Sequence, residues 1–592
     1  MKNKLTIWGL LALSAVLMSI PFLIPHCGFV ALFGFVPLLC ADKMATDQKV
    51  KHFWWYYYLC FLGWNLLSTW WVCNATVGGG LFASFANALQ MAVIFALFRL
   101  SKKKFSGALP YIFLTVTWIA WERFYFDAEI SWPWLTLGNA FARSVGSIQW
   151  YEYTGSLGGS LWIWAANLTL FGTMVFLGDG RFFEKWNGKA RAAWITWTAV
   201  IIACPFIISG IIWHNYKEVE KPLEVLVTQP DIDPYYKFGH LSQAQQDEIL
   251  FHIVDSTMTG SAEKLSFGVP RHDGIDNVSS TSVLTKRNSG EDDMYVAVND
   301  TLAVSVQDSA MTPVQERPLL IIAPETFNGG LVTNSMKLNR SWDSYHGMLK
   351  KYPGANFLFG ASAYEYIQSA KAPSYTARKA GDGLWTESHN AGVMMDGNGE
   401  GEIFFKTKLV VGTEYMPYPR VLGKLDDKLG GVIGRCTGQD EISCLHYRSN
   451  DGKTVIPVGC AVCYESVYGE YCTGYVRKGA QMIAVITNDA WWGDTAGYKQ
   501  HCSYSSIRAI ETRRSIARSA NSGISCLINQ RGEITESRGW WERTSILGKI
   551  NLNTRQTFFV QHGDITGRIS TFCFILLLLA LIVRLITTRR TR

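Results

Sequence analysis

The sequence predicts a multi-pass α-helical membrane protein with eight spans that carries a layered α/β sandwich domain on the extracytoplasmic side. Three observations support this fold class. Apolar segments are concentrated at the two ends of the 592-residue chain, short basic clusters recur between them, and a long polar stretch separates the two ends. Hydrophobic residues make up 48% of the chain and charged residues only 17%, which rejects an even division into soluble domains.

Seven segments have the length and composition of a transmembrane helix, which needs ~20 apolar residues. An eighth segment, Phe29–Ala41, is short because Gly28 and Pro37 lie in or beside it. It must nevertheless span if the flanking charges are to fall consistently on one side. The seven longer segments are Leu5–Leu23, His52–Val72, Gly80–Leu100, Ala108–Phe124, Ser156–Leu177, Ala192–Trp213 and Ile569–Ile586.

The basic clusters determine the expected orientation, because Lys and Arg mark the cytoplasmic side of short loops. All clusters fall on one side only if there are eight spans, and loops 24–28 and 74–79 on the other side contain no Lys or Arg. Both termini are therefore expected in the cytoplasm. The expected domains are 1–213 with seven helices, 214–568 across the membrane, and 569–592 with the last helix and a basic tail.

The first apolar segment has the flanks of a cleaved signal peptide, but no small-x-small cleavage site follows it. Its removal would also invert every later loop, so we expect a retained helix.

A second feature of the membrane part is the aromatic loop Ser131–Gly138, which contains Trp-Pro-Trp. Two interpretations of this loop stay open: an interfacial aromatic belt, or part of an entrance for lipid or substrate.

The polar domain alternates strand and helix patterns, which is typical of a layered α/β sandwich. From about 256 to 316 the composition becomes rich in Ser, Asp, Gly and Thr with weak periodicity, which predicts an inserted excursion. Helices are predicted at Leu241–Val254, Ser341–Lys351, Ser466–Arg477 and Gln500–Ser519. Strands are predicted at Glu224–Gln229, Leu319–Pro324, Asn356–Gly360, Gly392–Asp396, Gly401–Leu409, Val455–Val462, Gln481–Asn488 and Ile524–Gln530.

The net charge of +7 is modest. The basic residues lie between apolar segments, so they indicate membrane topology and not nucleic-acid binding.

The chain has 13 cysteines, and those in the polar domain would lie in an oxidising compartment. Cys436 and Cys444 bracket a short polar excursion, and we expect a disulfide between them.

Cys463 is the candidate nucleophile. It follows the apolar run 454–462, so a thiol is expected at a strand-to-helix elbow, although a buried structural cysteine would give the same pattern. Cys460 completes a C-x-x-C pair, which suggests a redox or metal site. A strand places these two thiols on opposite faces and no second pair at zinc spacing exists, so we reject both readings.

Two further strands each deliver an ionisable residue. Glu325 follows an apolar run and Pro324, a position suited to a general base or to a loop carboxylate. Lys406 follows two phenylalanines, and its ammonium could stabilise an oxyanion or lie exposed on a strand. Lys408, two residues on, is a rival candidate.

Glu414 and Glu465 could orient Lys406, share proton transfer, or simply be surface charges.

Glu325, Lys406 and Cys463, in this chain order, resemble the catalytic triad of the nitrilase (carbon–nitrogen hydrolase) superfamily. Together with Glu414-Tyr-Met-Pro, Cys463-Tyr-Glu465, Thr487-Asn-Asp-Ala-Trp-Trp-Gly493 and the order of seven spans, domain and one span, they resemble the apolipoprotein N-acyltransferase family over essentially the whole chain. The resemblance implies that the polar domain is a nitrilase-like αββα sandwich.

The resemblance also implies a reaction. An acyl chain from the sn-1 position of a phospholipid would pass to Cys463 as a thioester, and then to the α-amine of a diacylglyceryl-cysteine on an apolipoprotein. Glu325 would be the general base, Lys406 the oxyanion stabiliser and Cys463 the nucleophile.

The resemblance further implies a bacterial inner membrane, with the catalytic domain in the periplasm. The expected partners are the phospholipid donor, the apolipoprotein acceptor and membrane lipids, with no nucleic acid, metal or cofactor, and the expected state is a monomer.

Supporting positions come from the same resemblance, which places Glu414, Tyr464 and Glu465 near the site. It also places Asn488 and Trp491 in a motif loop, and Phe238 where a Trp is usual. One departure is that Lys406 to Glu414 reads Lys-Thr-Lys-Leu-Val-Val-Gly-Thr-Glu and lacks the usual Pro. The Lys-to-Glu spacing is kept, which favours Lys406 over Lys408.

Two other functions use the same features. A membrane-tethered amidase or nitrilase would use the same three residues with water as acceptor. A multi-pass transporter with an external binding domain is the non-enzyme alternative, but the spans contain few ionisable residues, with Glu122 and Arg123 near a span end.

Overall fold

The structure is a computed structural model of the full chain. It describes residues 2–178, 188–237, 239–261, 265, 269–271, 274–276, 317–419, 421–423 and 434–590. Phe238 lies outside the described residues. Most of the predicted excursion at 256–316 also lies outside the described residues, so the excursion remains a prediction.

Each of the eight apolar segments coincides with a helical segment. Within the described residues, five helices have the length and hydropathy of a membrane span: Lys4–Leu23, Gly28–Asp47, Val77–Lys102, Gly188–Asn215 and Ile565–Thr587. The three other segments coincide with the helices Phe53–Thr69, Leu109–Asp127 and Tyr151–Gly178.

The second segment has a physical reason for its irregularity. A 3₁₀ helix at Gly28–Leu32 is followed by the α-helix Val36–Asp47, with Pro37 in its first turn. Proline is well suited to the first turn of a helix because its missing N–H would have no partner there. The short segment predicted at 29–41 is therefore the junction of two helices.

The polar domain contains two large β-sheets. The first has the order β16-β1-β4-β6-β8-β7, with β5 paired to β6 and β9 paired to β8, and the second has the order β10-β11-β12-β13-β14-β15. The strands of the first sheet are β1 Pro222–Gln229, β4 Leu319–Ile322, β5 Asn328–Val332, β6 Ala355–Gln368, β7 Arg378–Gly381, β8 Leu384–Met395, β9 Gly401–Phe405 and β16 Thr544–Asn551. Those of the second are β10 Leu445–Arg448, β11 Val455–Val462, β12 Met482–Thr487, β13 Ile516–Ala520, β14 Ser525–Ile528 and β15 Ile534–Arg538, while β2 Val269–Arg271 and β3 Gly274–Asp276 form a separate pair.

Parallel strands form the centre of both sheets. β1, β4 and β6 are parallel neighbours, and so are β11, β12 and β13. Their sequences are nearly continuous apolar runs, as expected when both faces of a sheet are covered. The two sheets pack face to face, and Gly392 in β8 permits this contact: a Cβ there would lie 2.5 Å from Sγ of Cys460 in β11.

Helices cover the outer faces of the two sheets, which gives four layers. Gln243–Thr259 and Arg340–Lys351 contribute buried residues to the core on the outer side of the first sheet. Gly469–Arg477 and Ala496–Thr512 cover the second. The helix Ala496–Thr512 also contributes Tyr504, Ile507 and Ile510 to the core of the membrane helices, so it is shared between the two parts of the chain.

Several predicted elements need correction. The predicted strand 401–409 ends at Phe405, so Lys406 lies just beyond the sheet. The predicted helix 500–519 is in fact the helix Ala496–Thr512 followed by β13, because Arg513 adopts a left-handed conformation with φ 49° and ends the helix. The helix predicted at 466–477 begins as a 3₁₀ turn at Cys463–Val467.

The predicted disulfide between Cys436 and Cys444 is wrong: both thiols are free. The thiol of Cys444 points to the carbonyl oxygen of Tyr475, at 3.4 Å, and Cys436 pairs through its backbone with Glu414. The two cysteines therefore belong to different packing environments despite their short separation in sequence.

We predict that Gly360→Ala destabilises the domain, by about 1–3 kcal/mol as is usual for overpacking. A Cβ at Gly360 would lie 2.5 Å from Cα of Glu325 and 2.5 Å from the backbone N of Thr326. Gly347→Ala is the control, because that helical position has open space around it and alanine favours a helix. Thermal unfolding of the purified variants measures both effects, and equal stability of the two would contradict this packing.

Candidate active site

Cys463 lies at a strained elbow. β11 ends at Val462, and Cys463 opens the 3₁₀ turn with φ +52°, in the left-handed region that a residue with a side chain rarely adopts. Such a conformation costs about 1–3 kcal/mol and persists only where the surroundings enforce it. The predicted elbow therefore exists, and Cys463, taken as a whole residue, is half-buried at its turn.

Glu465 holds this elbow together and is fully buried, so it is not a surface charge. One carboxylate oxygen accepts a hydrogen bond from the backbone N–H of Val462 at 2.8 Å, and the other accepts one from the N–H of Thr407 at 2.7 Å. The hydroxyl of Tyr471 also donates to it, at 2.6 Å. Glu465 thus ties the Cys463 turn to the segment that carries Lys406.

Lys406 is buried between two carboxylates. Its Nζ lies 3.2 Å from Oε1 of Glu325 and 3.0 Å from Oε1 of Glu414. The rival Lys408 points away, with its Nζ 3.7 Å from Asp127 and 3.1 Å from the carbonyl oxygen of Phe126 in the membrane part. Of the two lysines, therefore, Lys406 contacts Glu325 and Glu414, and Lys408 contacts the membrane part.

Glu325 lies three residues beyond the end of β4 and is held on both of its oxygens. Besides Lys406, Oε1 accepts from the side-chain amide of Asn390 at 2.7 Å, and Oε2 accepts from the backbone N–H of Asn488 at 3.1 Å. Thr326, the next residue, is left-handed with φ 50°. These contacts fix the carboxylate at the carboxyl end of a buried parallel strand.

Asn390 was missed by the sequence reasoning. Its amide donates to Glu325 and also to Glu414, both at 2.7 Å, so it bridges the two carboxylates that flank Lys406. The available signal was a polar residue directly before the fully buried stretch 391–395 of β8.

Lys237 was also missed: it is buried, and its ammonium donates to the carbonyl oxygen of Glu325 at 3.1 Å. Burial lowers the pKa of Lys237 to about 7, although Glu325 opposes the shift.

The electrostatics of the thiol and the ammonium are linked. Burial raises the pKa of the Cys463 thiol well above its usual value, Glu325 raises it further, and Lys406 opposes the shift. Burial alone would lower the pKa of Lys406, but Glu414 and Glu325 outweigh burial and raise it well above its usual value. At neutral pH the site therefore holds a neutral thiol beside a permanently charged ammonium.

The supporting residues from the sequence occupy different places. Tyr464 is buried, and its hydroxyl donates to the carbonyl oxygen of Ser131 at 2.9 Å, in the aromatic loop of the membrane part. Asn488 is buried beside Glu325, whereas Trp491 is 36% exposed and packs its ring edge-on against Tyr235. Asn488 is thus at the carboxylates and Trp491 is on the surface.

The aromatic loop packs onto the α/β domain. Trp132 stacks on Tyr464 with centroids 6.0 Å apart, and Trp134, which is fully buried, lies edge-on to Trp492 at 5.6 Å. An interfacial belt facing lipid is therefore the wrong interpretation for Trp134, because its ring is enclosed by protein.

A cavity of about 330 Å³ lies where the membrane helices meet the domain. Its lining includes Arg123, Lys408, Tyr468, Glu470, Phe559 and Asp564.

Two family models match the chain. The apolipoprotein N-acyltransferase N-terminal domain matches residues 14–169, and the carbon–nitrogen hydrolase model matches residues 299–558. A protein named apolipoprotein N-acyltransferase from Chlorobaculum tepidum is 26% identical over 549 residues, which cover 92% of this chain and 90% of that protein. The chain is thus similar to apolipoprotein N-acyltransferases over nearly its whole length.

Other apolipoprotein N-acyltransferases align over shorter stretches. The one from Geobacter metallireducens is 32% identical over 160 residues, which cover 27% of this chain and 29% of that protein. Among solved structures, a mutant amidase of the nitrilase superfamily from Nesterenkonia AN1 covers 60% of this chain and 95% of its own, at 12% identity and a TM-score of 0.31. The two family models and the Chlorobaculum tepidum protein confirm the resemblance to apolipoprotein N-acyltransferases that was predicted from the sequence, and they support an acyltransferase.

We predict that Lys406→Met lowers the free energy of unfolding by about 3 kcal/mol or more, because it leaves the buried carboxylate of Glu325 and the half-buried carboxylate of Glu414 without their cation. The matched control is Lys408→Met, whose side chain is 28% exposed and pairs at the surface; we expect a loss below about 1 kcal/mol. Chemical denaturation of both variants measures the difference. Similar losses for the two lysines would show that Lys406 is not the buried counter-ion.

We predict that Glu325→Gln shifts the alkylation of Cys463 by iodoacetamide to lower pH. The reactive species is the thiolate, whose fraction rises as the pH rises through the thiol pKa. Because the Glu325 charge raises that pKa, its removal lowers the pKa and increases the thiolate fraction at a given pH. The measurement is the alkylation rate by mass spectrometry across pH, with Glu402→Gln as a control on a carboxylate that pairs elsewhere, with Arg448. A profile that is unchanged or moves to higher pH would contradict the assigned cause.

Proposed function

We propose that this chain N-acylates the diacylglyceryl-cysteine at the amino terminus of apolipoproteins, with a phospholipid as acyl donor and a thioester on Cys463 as the intermediate. The observation that carries the proposal is the strained Cys463 elbow beside Lys406, whose ammonium is held by Glu325 and Glu414. Similarity to apolipoprotein N-acyltransferases supports acyl transfer as the reaction, and this geometry is consistent with Cys463 as nucleophile, Glu325 as base and Lys406 as the cation that stabilises the oxyanion.

In the first half-reaction, Glu325 accepts the proton of the Cys463 thiol as sulfur attacks the sn-1 ester carbonyl. The raised pKa of the thiol supports this role, because a neutral thiol needs a base during attack. Lys406 donates a hydrogen bond to the oxyanion of the tetrahedral intermediate. The C–O bond then breaks, the proton passes from Glu325 to the leaving alkoxide, and a lysophospholipid departs from the acyl–Cys463 thioester.

In the second half-reaction, the α-amine of the diacylglyceryl-cysteine attacks the thioester carbonyl. Glu325 accepts a proton from the amine, Lys406 again stabilises the oxyanion, and the C–S bond breaks. The Cys463 sulfur takes the proton back as a thiol and the N-acylated lipoprotein leaves. Glu325, Lys406 and Cys463 are thus the proposed catalytic residues, with Glu414 positioning Lys406.

The membrane arrangement belongs to the same proposal. Eight spans, both termini in the cytoplasm, and residues 214–568 in the periplasm follow from the basic clusters, and the eight helical segments support this count. Residues 1–213 would form the seven-helix domain and 569–592 the last helix, in the inner membrane. Tethering at both ends, together with the aromatic loop over Tyr464, favours acyl transfer because limited access of water protects a thioester from hydrolysis.

We predict that the purified protein, incubated with a phospholipid carrying an isotopically labelled sn-1 chain, gains one labelled acyl group on Cys463. Intact-mass and peptide mass spectrometry detect the adduct, and addition of a diacylglyceryl-cysteine peptide then moves the label to the peptide amine. Cys463→Ala loses the adduct, whereas Cys444→Ala, at a free thiol elsewhere in the domain, keeps it. Release of free fatty acid with no transfer to the peptide would identify a hydrolase that uses water as acceptor, and would overturn the proposal.

A further inference from the structure

A buried ionic cluster lies directly behind the nucleophile. Asp489, His501 and Arg518 are all fully buried. Nδ1 of His501 lies 2.9 Å from Oδ1 of Asp489, and Nη2 of Arg518 donates to Oδ2 of the same carboxylate at 2.7 Å. Thr487 completes the cluster by donating its hydroxyl to Oδ1 at 2.8 Å. None of these groups has a part in the reaction described above.

The other edge of the His501 ring faces the elbow. Nε2 lies 3.1 Å from the carbonyl oxygen of Cys463 and 3.0 Å from the hydroxyl of Ser466, which itself donates to that carbonyl at 2.8 Å. The ring therefore connects the Asp489–Arg518 ion pair to the peptide group of the nucleophile.

Only one of the two neutral tautomers makes a direct bond to the Cys463 carbonyl. With the hydrogen on Nδ1, the ring donates to Asp489 and Nε2 can only accept, from the Ser466 hydroxyl, which then no longer donates to that carbonyl. With the hydrogen on Nε2, the ring donates to the Cys463 carbonyl, and Nδ1 accepts from Arg518 at 3.1 Å. Burial lowers the pKa of His501, so the neutral ring is the relevant form at neutral pH.

The elbow needs such a support because its conformation is unfavourable. A left-handed cysteine persists only where neighbouring groups hold the peptide on both sides. On the amino side Glu465 holds the N–H of Val462, and on the carboxyl side His501 and Ser466 hold the carbonyl of Cys463. Of these, only His501 belongs to another element, the helix Ala496–Thr512.

That helix is anchored to the membrane part beside His501. The amide of Gln500 donates to the carbonyl oxygens of Phe22 at 3.0 Å and Ser68 at 3.1 Å, and its oxygen accepts from Nε1 of Trp134 at 2.6 Å. The rings of Trp134 and Trp492 lie 5.7 Å and 5.4 Å from that of His501. The position of His501 is therefore determined jointly by the ion pair and by the membrane helices.

A zinc site is the competing interpretation of these residues. Cys463, Asp489 and His501 each place one donor atom within 4.8 Å of the others, and thiolate, imidazole and carboxylate are zinc ligands. However, Arg518 already pairs with Asp489 at 2.7 Å and Lys406 adds a second cation beside the thiol. A divalent ion there would face two fixed positive charges, so the residues do not fit a metal.

We propose that His501, held by Asp489 and Arg518, is a positioning residue that fixes the carbonyl of Cys463 and thereby the direction of its sulfur for attack. The proposal rests on Cys463 being the nucleophile of the proposed function. In this proposal, the helix Ala496–Thr512 fixes the position of Cys463 relative to the membrane helices, because it carries His501 and is bonded to those helices through Gln500.

The test compares His501→Gln with His501→Asn. The glutamine amide reaches about as far as Nε2 and can bond to the Cys463 carbonyl or to Ser466, whereas the asparagine amide reaches about as far as Nδ1 and serves only Asp489. We expect His501→Asn to slow single-turnover acylation of Cys463 by about tenfold or more, since small misplacements of reacting groups are costly. His501→Gln should recover most of the rate. The phospholipid concentration that gives the half-maximal rate should not change in either variant.

Controls separate positioning from folding. His446→Asn, at a partly exposed histidine that pairs with Glu402 on another sheet edge, should keep the wild-type rate. Thermal unfolding should be similar for the two His501 variants, because both remove the ring. Equal acylation rates for His501→Gln and His501→Asn, or a loss that follows unfolding temperature alone, would overturn the proposal.

A second readout keeps this test independent of the lipid reaction. Alkylation of Cys463 by iodoacetamide needs no phospholipid, and its rate at a fixed pH should fall in His501→Asn and recover in His501→Gln. If the wild-type protein forms no acyl–Cys463, the proposed function fails, while the alkylation comparison still decides whether His501 positions the sulfur. Unchanged alkylation in both variants would overturn the role of His501.

Discussion

The ammonium of Lys406, buried between two carboxylates, is the interaction on which the site depends. Glu325 and Glu414 both accept a hydrogen bond from the Asn390 amide, and the Lys406 ammonium lies within 3.2 Å of both carboxyl groups. The same cation opposes the rise in the pKa of the Cys463 thiol. Glu325, Lys406 and Cys463 are therefore electrostatically coupled.

This coupling requires segments far apart in the chain to meet at a common edge. Glu325 follows β4, Lys406 follows β9, and Cys463 follows β11 in the second sheet. The face-to-face packing of the two sheets brings these strand ends together, and the close approach of Gly392 to Cys460 allows that packing. Glu465 then ties the Cys463 turn to the Lys406 segment through backbone N–H groups of both.

The membrane part does more than anchor this domain. Its aromatic loop stacks on Tyr464, next to the nucleophile, and Gln500 fastens the helix that carries His501 to the first and third membrane helices. The membrane helices and the catalytic domain share one continuous core at this contact. For an enzyme whose proposed substrates are lipids, this places the nucleophile in a fixed relation to the helices around which those lipids lie.

The sequence by itself determined the order of apolar segments, the existence of an α/β domain, the elbow at Cys463 and the resemblance to a known family, because these depend on local composition, periodicity and short motifs. That resemblance, through its Lys-to-Glu spacing, also favoured Lys406 over Lys408. The errors arose where local patterns end: the strand before Lys406 and the helix after Ala496 were predicted too long, and proximity in sequence wrongly suggested a disulfide between Cys436 and Cys444.

Only the tertiary structure decided which polar residues meet. Asn390, Lys237 and His501 lie on strands or helices with no motif of their own, and each acquires its partner through packing between elements distant in the chain. A buried polar group must find a partner wherever the fold provides one, and that partner is set by which strand ends and helices are packed together. For this reason the residues that follow a motif were predictable, and those that complete the site were not.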